Sequence, residues 1–550
     1  MARGARTRRA ALRPPLNKVA LPHPTPERGA LLLVLHAHLP YVRDVDRVSL
    51  EGDWLPEAVA GAYLPLLEAL ERLADDGVPS RLTVSISPTL LAMLEDPLLR
   101  RGVGERLGAF LALAEREVRR TAKDAALGPV ARYHRQRLRQ ALRLWEERFR
   151  GGLVSALGRL ERAGRIDLIT TAATHAFLPL LRHLPQAIRA QVKVGVDQHA
   201  RVLGRRPGGF WLPECGYHPG VEAVLADEEL RFTFLEARGL HLAEPRPLAS
   251  VYAPLLTASG VAVYGRDPEA SEEVWSAESG YPSDPLYLDF HHDAGWELPA
   301  EALAPVLLPG DAPRAVGLRY HRVTARSGAK AAYQPEAARA RAREHARAFV
   351  RRRQERLAAL APRLSRPPVV VAPYDAELFG HWWHEGPAFL EALFREAAAA
   401  GLATSTPAED LGRFPEAQLA APAESSWGSE GSARTWLDPT NDWIPPEVDR
   451  ATRALVAEAG AGQAPAPFRK RLLNQAAREL LLAQSSDFPF ILRAGTLADY
   501  ARTRVETHLA QFWALLDEAA GRPADLAAAR RALRADVLFP DLDFRVFAPG

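Results

Sequence analysis

The 550-residue sequence contains one cysteine, Cys215. No intrachain disulfide can form and no cysteine-based zinc site can be built, which fits a reducing compartment. Lysine is scarce too, at positions 18, 123, 193, 330 and 470, so arginine carries nearly all the positive charge. With only two methionines, this composition suggests a GC-rich genome or a warm habitat, although scarce lysine runs against the hyperthermophile trend. No stretch approaches the roughly 18 apolar residues that span a bilayer. Neither GxxxxGK[ST] nor a strand-turn GxGxxG occurs, so nothing cradles a phosphate chain, and a GxSxG elbow is missing as well. The net charge is only +3, and no basic stripe interleaves with aromatics; nucleic acid is therefore excluded as a natural partner.

What is present is ordinary globular composition, 47% hydrophobic and 25% charged, in a chain long enough for two to four domains at about 100–200 residues each. Residues 1–28 carry Arg3, Arg6, Arg8, Arg9 and Arg13 and then Pro22, Pro24 and Pro26, with no apolar segment long enough for an export signal. They read as a flexible tail, or as an over-long gene start, on a cytoplasmic protein.

The stretch 367–387, PPVVVAPYDAELFGHWWHEGP, sets the pattern for the rest. An apolar β-branched run of the kind a doubly buried strand requires stops abruptly at Tyr374, Asp375, Glu377, His381, Trp382, Trp383 and His384. Such a change marks the C-terminal mouth of a parallel barrel strand. Residues 30–40 repeat it, delivering His36 and His38 to one strand face; the plainer alternative is a pair of satisfied core histidines. Further strands are expected at 82–87, at 166 onward before Thr174 and His175, at 208 onward before Glu214, Cys215 and Tyr217, and at 232–235 and 261–264. Helices between them, including 184–203, 335–360 and 387–400, give the alternation of an α/β barrel. Residues 96–163 read as a charged helical insertion broken near Gly128-Pro129. Residues 424–443 form a Gly- and Ser-rich loop with three tryptophans, and everything after Pro446 reads as helices.

Glu214 and Asp375 stand out because each follows an apolar strand and lies beside aromatics. Paired carboxyls between aromatic platforms suit glycosidic bond cleavage, one ionised and one protonated. Eleven tryptophans fit a sugar ligand better than a phosphate. The competing reading is a metal-dependent hydrolase built on His36, His38, His175, Asp375 and His381, and nothing in the spacing alone decides between them. A glucan-binding protein without catalysis is a third reading.

Taken in order, HAHLP, THAFLP, WLPECGY, YDAELFGHWW and SSWG…TWLDPTNDW resemble the five regions of glycoside hydrolase family 57, most closely its 1,4-α-glucan branching enzymes. The resemblance covers nearly the whole chain beyond residue 29. It implies an incomplete (β/α)7 barrel over residues 29–420 with the helical insertion, and a C-terminal all-α domain over 421–550 that contributes to the glucan groove. It implies retaining chemistry without a cofactor or metal, with Glu214 as nucleophile and Asp375 as general acid/base. It places His36, His38 and His175 on sugar hydroxyls, Trp54, Trp382, Trp427 and Trp436 along the groove, and Asp487 as an acid brought in by the C-terminal domain. The implied reaction moves an α-1,4-glucan segment to a 6-hydroxyl in a glycogen-like polymer, as a monomer or homodimer. A hydrolase or 4-α-glucanotransferase on the same site is the alternative. Residues 238–264 fall where members of the family carry a mobile loop that shields the intermediate from water, here without the expected Pro-Arg-Tyr run. His384 and Phe488 stand where a Phe and a Trp are expected.

Overall fold

The computed structural model describes residues 28–43, 51–276, 278–307, 311–324, 330–462 and 465–549. Apart from Arg28, the tail expected at 1–28 lies outside the described residues. Seven parallel strands form the centre: Ala30–Ala37, Leu82–Ile86, Ile166–Thr171, Gly209–Trp211, Phe232–Leu235, Ala262–Gly265 and Val369–Asp375. They neighbour one another in chain order, except that the last strand pairs with the first. Among the described residues, the seam between Ala262–Gly265 and Val369–Asp375 is bridged by single hydrogen bonds and not by a ladder. Asp267 N donates to Val371 O at 2.9 Å and the Tyr374 hydroxyl donates to Ala270 O at 2.7 Å. This is the incomplete (β/α)7 barrel that the resemblance implies.

The two-residue period of a strand sorts its side chains between two cores. Ala30, Leu32 and Val34 point into the barrel with Ile169, Trp211, Phe232, Phe234, Tyr264, Val369 and Val371. Leu31, Leu33 and Leu35 join the larger outer core under the helices. Continuing the inward series past the hydrophobic layer gives His36 and His38 on the first strand and Asp375 on the last. The register pairs His36 with Asp375 and with Ser85. The strand pattern therefore delivers the polar cluster directly.

The insertion consists of helices Pro97–Arg120, Leu127–Arg143 and Leu153–Arg162. Asp96 caps the first, its Oδ1 accepting from Leu98 N and Leu99 N. The break falls at Thr121–Ala126, ahead of the expected Gly128-Pro129. That pair sits in the first turn of the next helix, where proline's missing N–H costs nothing. The C-terminal helices are Ile444–Ala459, Pro467–Ala483, Asp487–Ala494, Ala498–Ala519 and Leu526–Ala535.

Residues 238–264 are tied to the barrel edge at several points. After the short helix Ala237–His241, Glu244 pairs by backbone with Ala421, and the amide of Leu248 bonds the Gln418 side chain. Tyr252 O accepts from the amide of Val369, the first residue of the strand whose last is Asp375. Leu255–Leu256 then pairs with Ala262 and Val263 on one side and with Gln418 and Leu419 on the other. The segment closes a sheet edge that would otherwise be open to another strand.

Two glycines respond oppositely to the same change. In helix Pro185–Leu203, a Cβ on Gly195 would lie 2.3 Å from Thr171 O, whereas nothing lies within 4 Å of a Cβ on Gly108. Gly195→Ala is expected to destabilise by roughly 1–3 kcal/mol through overpacking, and Gly108→Ala to stabilise by about 0.5–1 kcal/mol through helix propensity. Urea unfolding midpoints of the two variants check both signs.

Candidate active site

The turn after strand Gly209–Trp211 holds Glu214 at φ 62° and Cys215 at φ 50°, and His175 sits at φ 58°. Side chains other than glycine seldom adopt this conformation, and its concentration here marks a place where surrounding contacts dictate the backbone. Those contacts come from two distant segments. The Trp427 amide donates to Glu214 O at 3.0 Å, and the Ser486 amide donates to His175 O at 3.0 Å.

Both Glu214 oxygens are engaged. Trp427 Nε1 donates to Oε2 at 2.7 Å, and Ser486 Oγ donates to Oε1 at 2.9 Å. Because the Ser486 proton goes to Glu214, its oxygen accepts from His175 Nδ1, 2.8 Å away. That leaves His175 Nε2 as an acceptor for His36 Nε2–H at 2.9 Å, and His36 Nδ1 as an acceptor for the Ser85 hydroxyl at 3.0 Å. The hydrogen bonds thus run in one direction, Ser85 to His36 to His175 to Ser486 to Glu214, with both imidazoles neutral. Burial first, and neighbouring histidines second, hold both rings well below the ordinary imidazole range.

His38 is different. Burial opposes its charge, but Asp487, whose two oxygens lie 3.1 Å from Nε2, raises it overall. Asp487 is itself resisted by burial yet carried down to about 2, chiefly by His38. The ring of His38 stacks on His175 at 4.0 Å, and its backbone amide donates to Glu377 Oε1 at 3.1 Å. The same Glu377 oxygen accepts from the Tyr63 hydroxyl.

Asp375 lies beside this network with its carboxyl pushed well above the usual range by burial, then by the charges of Glu377 and Glu214; Arg266 opposes weakly. These surroundings favour its protonated form. Burial raises Glu214 as well, but the Trp427 and Ser486 hydrogen bonds favour its ionised form. One carboxyl is therefore poised to donate a proton and the other to carry charge, the division of labour glycosidic cleavage requires.

The structure gathers Glu214, Asp375, His36, His38, His175, Trp427 and Asp487 into one cluster. Trp54 is half-buried and meets Tyr500 edge-on at 5.5 Å, and Trp382 is 43% exposed in the turn after Asp375. Trp436 departs from the groove role expected of it. It is buried, stacks on Phe177 at 4.3 Å and packs under Gly428, so it supports the loop that presents Trp427. Ser85, Ser486, Tyr63 and Glu377 also belong to the site. Glu377 lies within the signal stretch and Ser486 precedes Asp487, but a hydroxyl has no local pattern that announces its partner.

The five-residue metal set is not assembled. His381 packs near Phe290 at 6.1 Å, away from the cluster, and its charge is opposed by burial and by Arg319. His38, His175 and Asp487 do offer ligand atoms within 4.8 Å of one another. A cation there would compete with the His175–Ser486 and His38–Asp487 bonds. Cys215 is fully buried in the barrel core, its thiol pushed well above its ordinary value by burial, which fits a small packed side chain. His384 bonds Tyr133 OH at 2.6 Å and Phe488 is buried in the C-terminal helices.

Two carboxyls in unlike surroundings, framed by imidazoles and indoles at the mouth of a parallel barrel, define an enzyme of the glycosidase class. The chain belongs to glycosyl hydrolase family 57, whose sequence profile matches residues 32–422. A second profile, described as 1,4-alpha-glucan branching enzyme, C-terminal, matches residues 447–547. The chain is 32% identical over 529 residues to a 1,4-alpha-glucan branching enzyme of Thermococcus kodakarensis, covering 89% of this chain and 74% of the relative. Among solved structures, an alpha-amylase from Thermotoga maritima superposes with a TM-score of 0.88 at 35% identity, covering 95% of this chain and 99% of its own. A GH57-type branching enzyme from Pyrococcus horikoshii superposes with a TM-score of 0.85 at 30% identity, covering 95% and 97%.

Activity should need Glu214 ionised and Asp375 protonated. Because both are raised, kcat/KM should climb only above the usual glutamate value of 4.5 and fall well above the ordinary aspartate range. Trp427→Phe removes a hydrogen bond that favours the Glu214 carboxylate, so the acid limb of its pH profile is expected to move to higher pH while the alkaline limb stays in place.

Proposed function

We propose that this protein is a 1,4-α-glucan branching enzyme that transfers an α-1,4-glucan segment to a 6-hydroxyl by retaining double displacement. Glu214 attacks the anomeric carbon while Asp375 protonates the departing glycosidic oxygen, giving a glucan covalently bound to Glu214. Asp375, now ionised, then takes the proton of an incoming 6-hydroxyl as that oxygen displaces Glu214. The Trp427 and Ser486 donors fix the plane of the Glu214 carboxylate in both steps. His36 and His175 remain neutral and orient polar groups, and the His38–Asp487 pair keeps a charge-compensated wall beside them.

The observation that carries this reading is where the C-terminal helices meet the barrel. Ser486 and Asp487, inside the segment that matches the branching-enzyme C-terminal profile, are the residues that bond Glu214, His175 and His38. The barrel and the helical region supply one site between them. The likeness to the Thermotoga maritima alpha-amylase favours a second reading in which water takes the glucan from Glu214.

Incubation with amylose in EDTA separates the readings. New α-1,6 linkages with few new reducing ends support branching, reducing ends without branches support hydrolysis, and activity that returns only with added metal overturns the carboxyl mechanism. Glu214→Gln and Asp375→Asn should each lower turnover by at least on the order of a hundredfold to ten-thousandfold while leaving the unfolding midpoint close to wild type. Wild-type rates in either variant would sink the assignment.

A further inference from the structure

A second cleft, of about 830 Å³, lies between helices Leu64–Asp75, Leu127–Arg143, Pro335–Leu360 and Gly386–Ala400. None of the residues bonded in the carboxyl cluster lines it. Arg132 and Arg137 come from one helix, Arg339 and Arg343 from the facing one. Among the described residues none of these four has a carboxylate partner. The cleft's other two arginines are compensated: Arg72 by Glu68 and Glu391, and Arg395 by Asp76 and Glu391.

Arg137 is the telling member. Its Nε is sealed from solvent and bonded to nothing. Burial pushes its guanidinium down, and the charge of Arg319 acts in the same direction. A covered arginine ordinarily has an anion beside it, because its lost hydration is otherwise uncompensated. The cleft's two remaining acids do not serve: Glu336 is exposed at the rim and forms no ion pair among the described residues, and Glu385 accepts from the Tyr333 hydroxyl at 2.6 Å and from Leu288 N at 3.2 Å, with burial raising it to about 7. Arg339 lies over the Tyr133 ring at 5.5 Å, and it and Arg343 are both exposed at the cleft's edge. Planar guanidinium forks match a phosphate oxygen pair, and the cleft volume is that of a small-molecule site.

We propose that this cleft binds a phosphate group, free or carried on a small sugar, with Arg137 at its floor and Arg339 and Arg343 at its rim. The site backs onto the catalytic turn. Gly61, which lines the cleft, packs against Gly380, and Tyr63 in the same π-helical turn bonds Glu377 beside Asp375.

Isothermal titration of the full chain with glucose 1-phosphate, inorganic phosphate and glucose, at matched ionic strength, tests the proposal. Saturable binding of either phosphate is expected, weakened on the order of tenfold or more in Arg339→Gln/Arg343→Gln and in Arg137→Gln. Equal affinity for the two phosphates assigns the site to the free ion, and tighter glucose 1-phosphate binding assigns it to the sugar ester; both outcomes support the proposal. No saturable phosphate binding, glucose binding as tight as glucose 1-phosphate, or unchanged affinity in the rim double variant overturns it. Both rim arginines are exposed, so the double variant should keep wild-type glucan turnover and decides the matter even where Arg137→Gln fails to fold.

Discussion

The hydroxyl of Ser486 is the point on which the site depends. It accepts a hydrogen bond from His175 and donates one to Glu214, closing a one-way run of hydrogen bonds that starts at Ser85 on the barrel wall. Removing any member leaves a buried donor or acceptor unpaired, which costs more than the bond itself contributes. Neutral imidazoles are the only ones compatible with this direction. Burial of His36 and His175 is thus part of how Glu214 is held, and the backbone strain at His175 and Glu214 is sustained by the same contacts.

Charge is divided by the same packing. Asp375, Glu377 and Glu214 are crowded together out of water, and burial raises all three. Asp487 escapes this crowding because His38 neutralises it. Four carboxyls within one network are thus pushed in different directions, Asp375, Glu377 and Glu214 upward and Asp487 downward. What separates them is which neighbours donate hydrogen bonds.

Much of this was legible from local pattern. Asp375 continues the inward alternation of Val369 and Val371, and His36 and His38 continue that of Leu32 and Val34, so two-residue periodicity alone aims them at one place. Glu214 follows its strand in the same way. Trp436 was not legible, because a tryptophan in a Gly- and Ser-rich loop reads as a ligand platform until Phe177, which buries it, is known. Ser486 was hidden for the opposite reason, since serine is common and its partner is 272 residues away. The course of residues 238–264 depends on pairing with Gln418 and Ala421, a long-range register that local composition does not encode.

The 449 residues between His38 and Asp487 also set an order of events in time. A ribosome adding about 5–20 residues per second delivers the histidines and then both carboxyls well before the helix that bonds them, an interval on the order of tens of seconds. During that interval the barrel emerges with its acidic pocket unsupported, and the centre is completed only once Ser486 and Asp487 have been added. A chain that stops short of these residues lacks both the Ser486 donor to Glu214 and the Asp487 partner of His38.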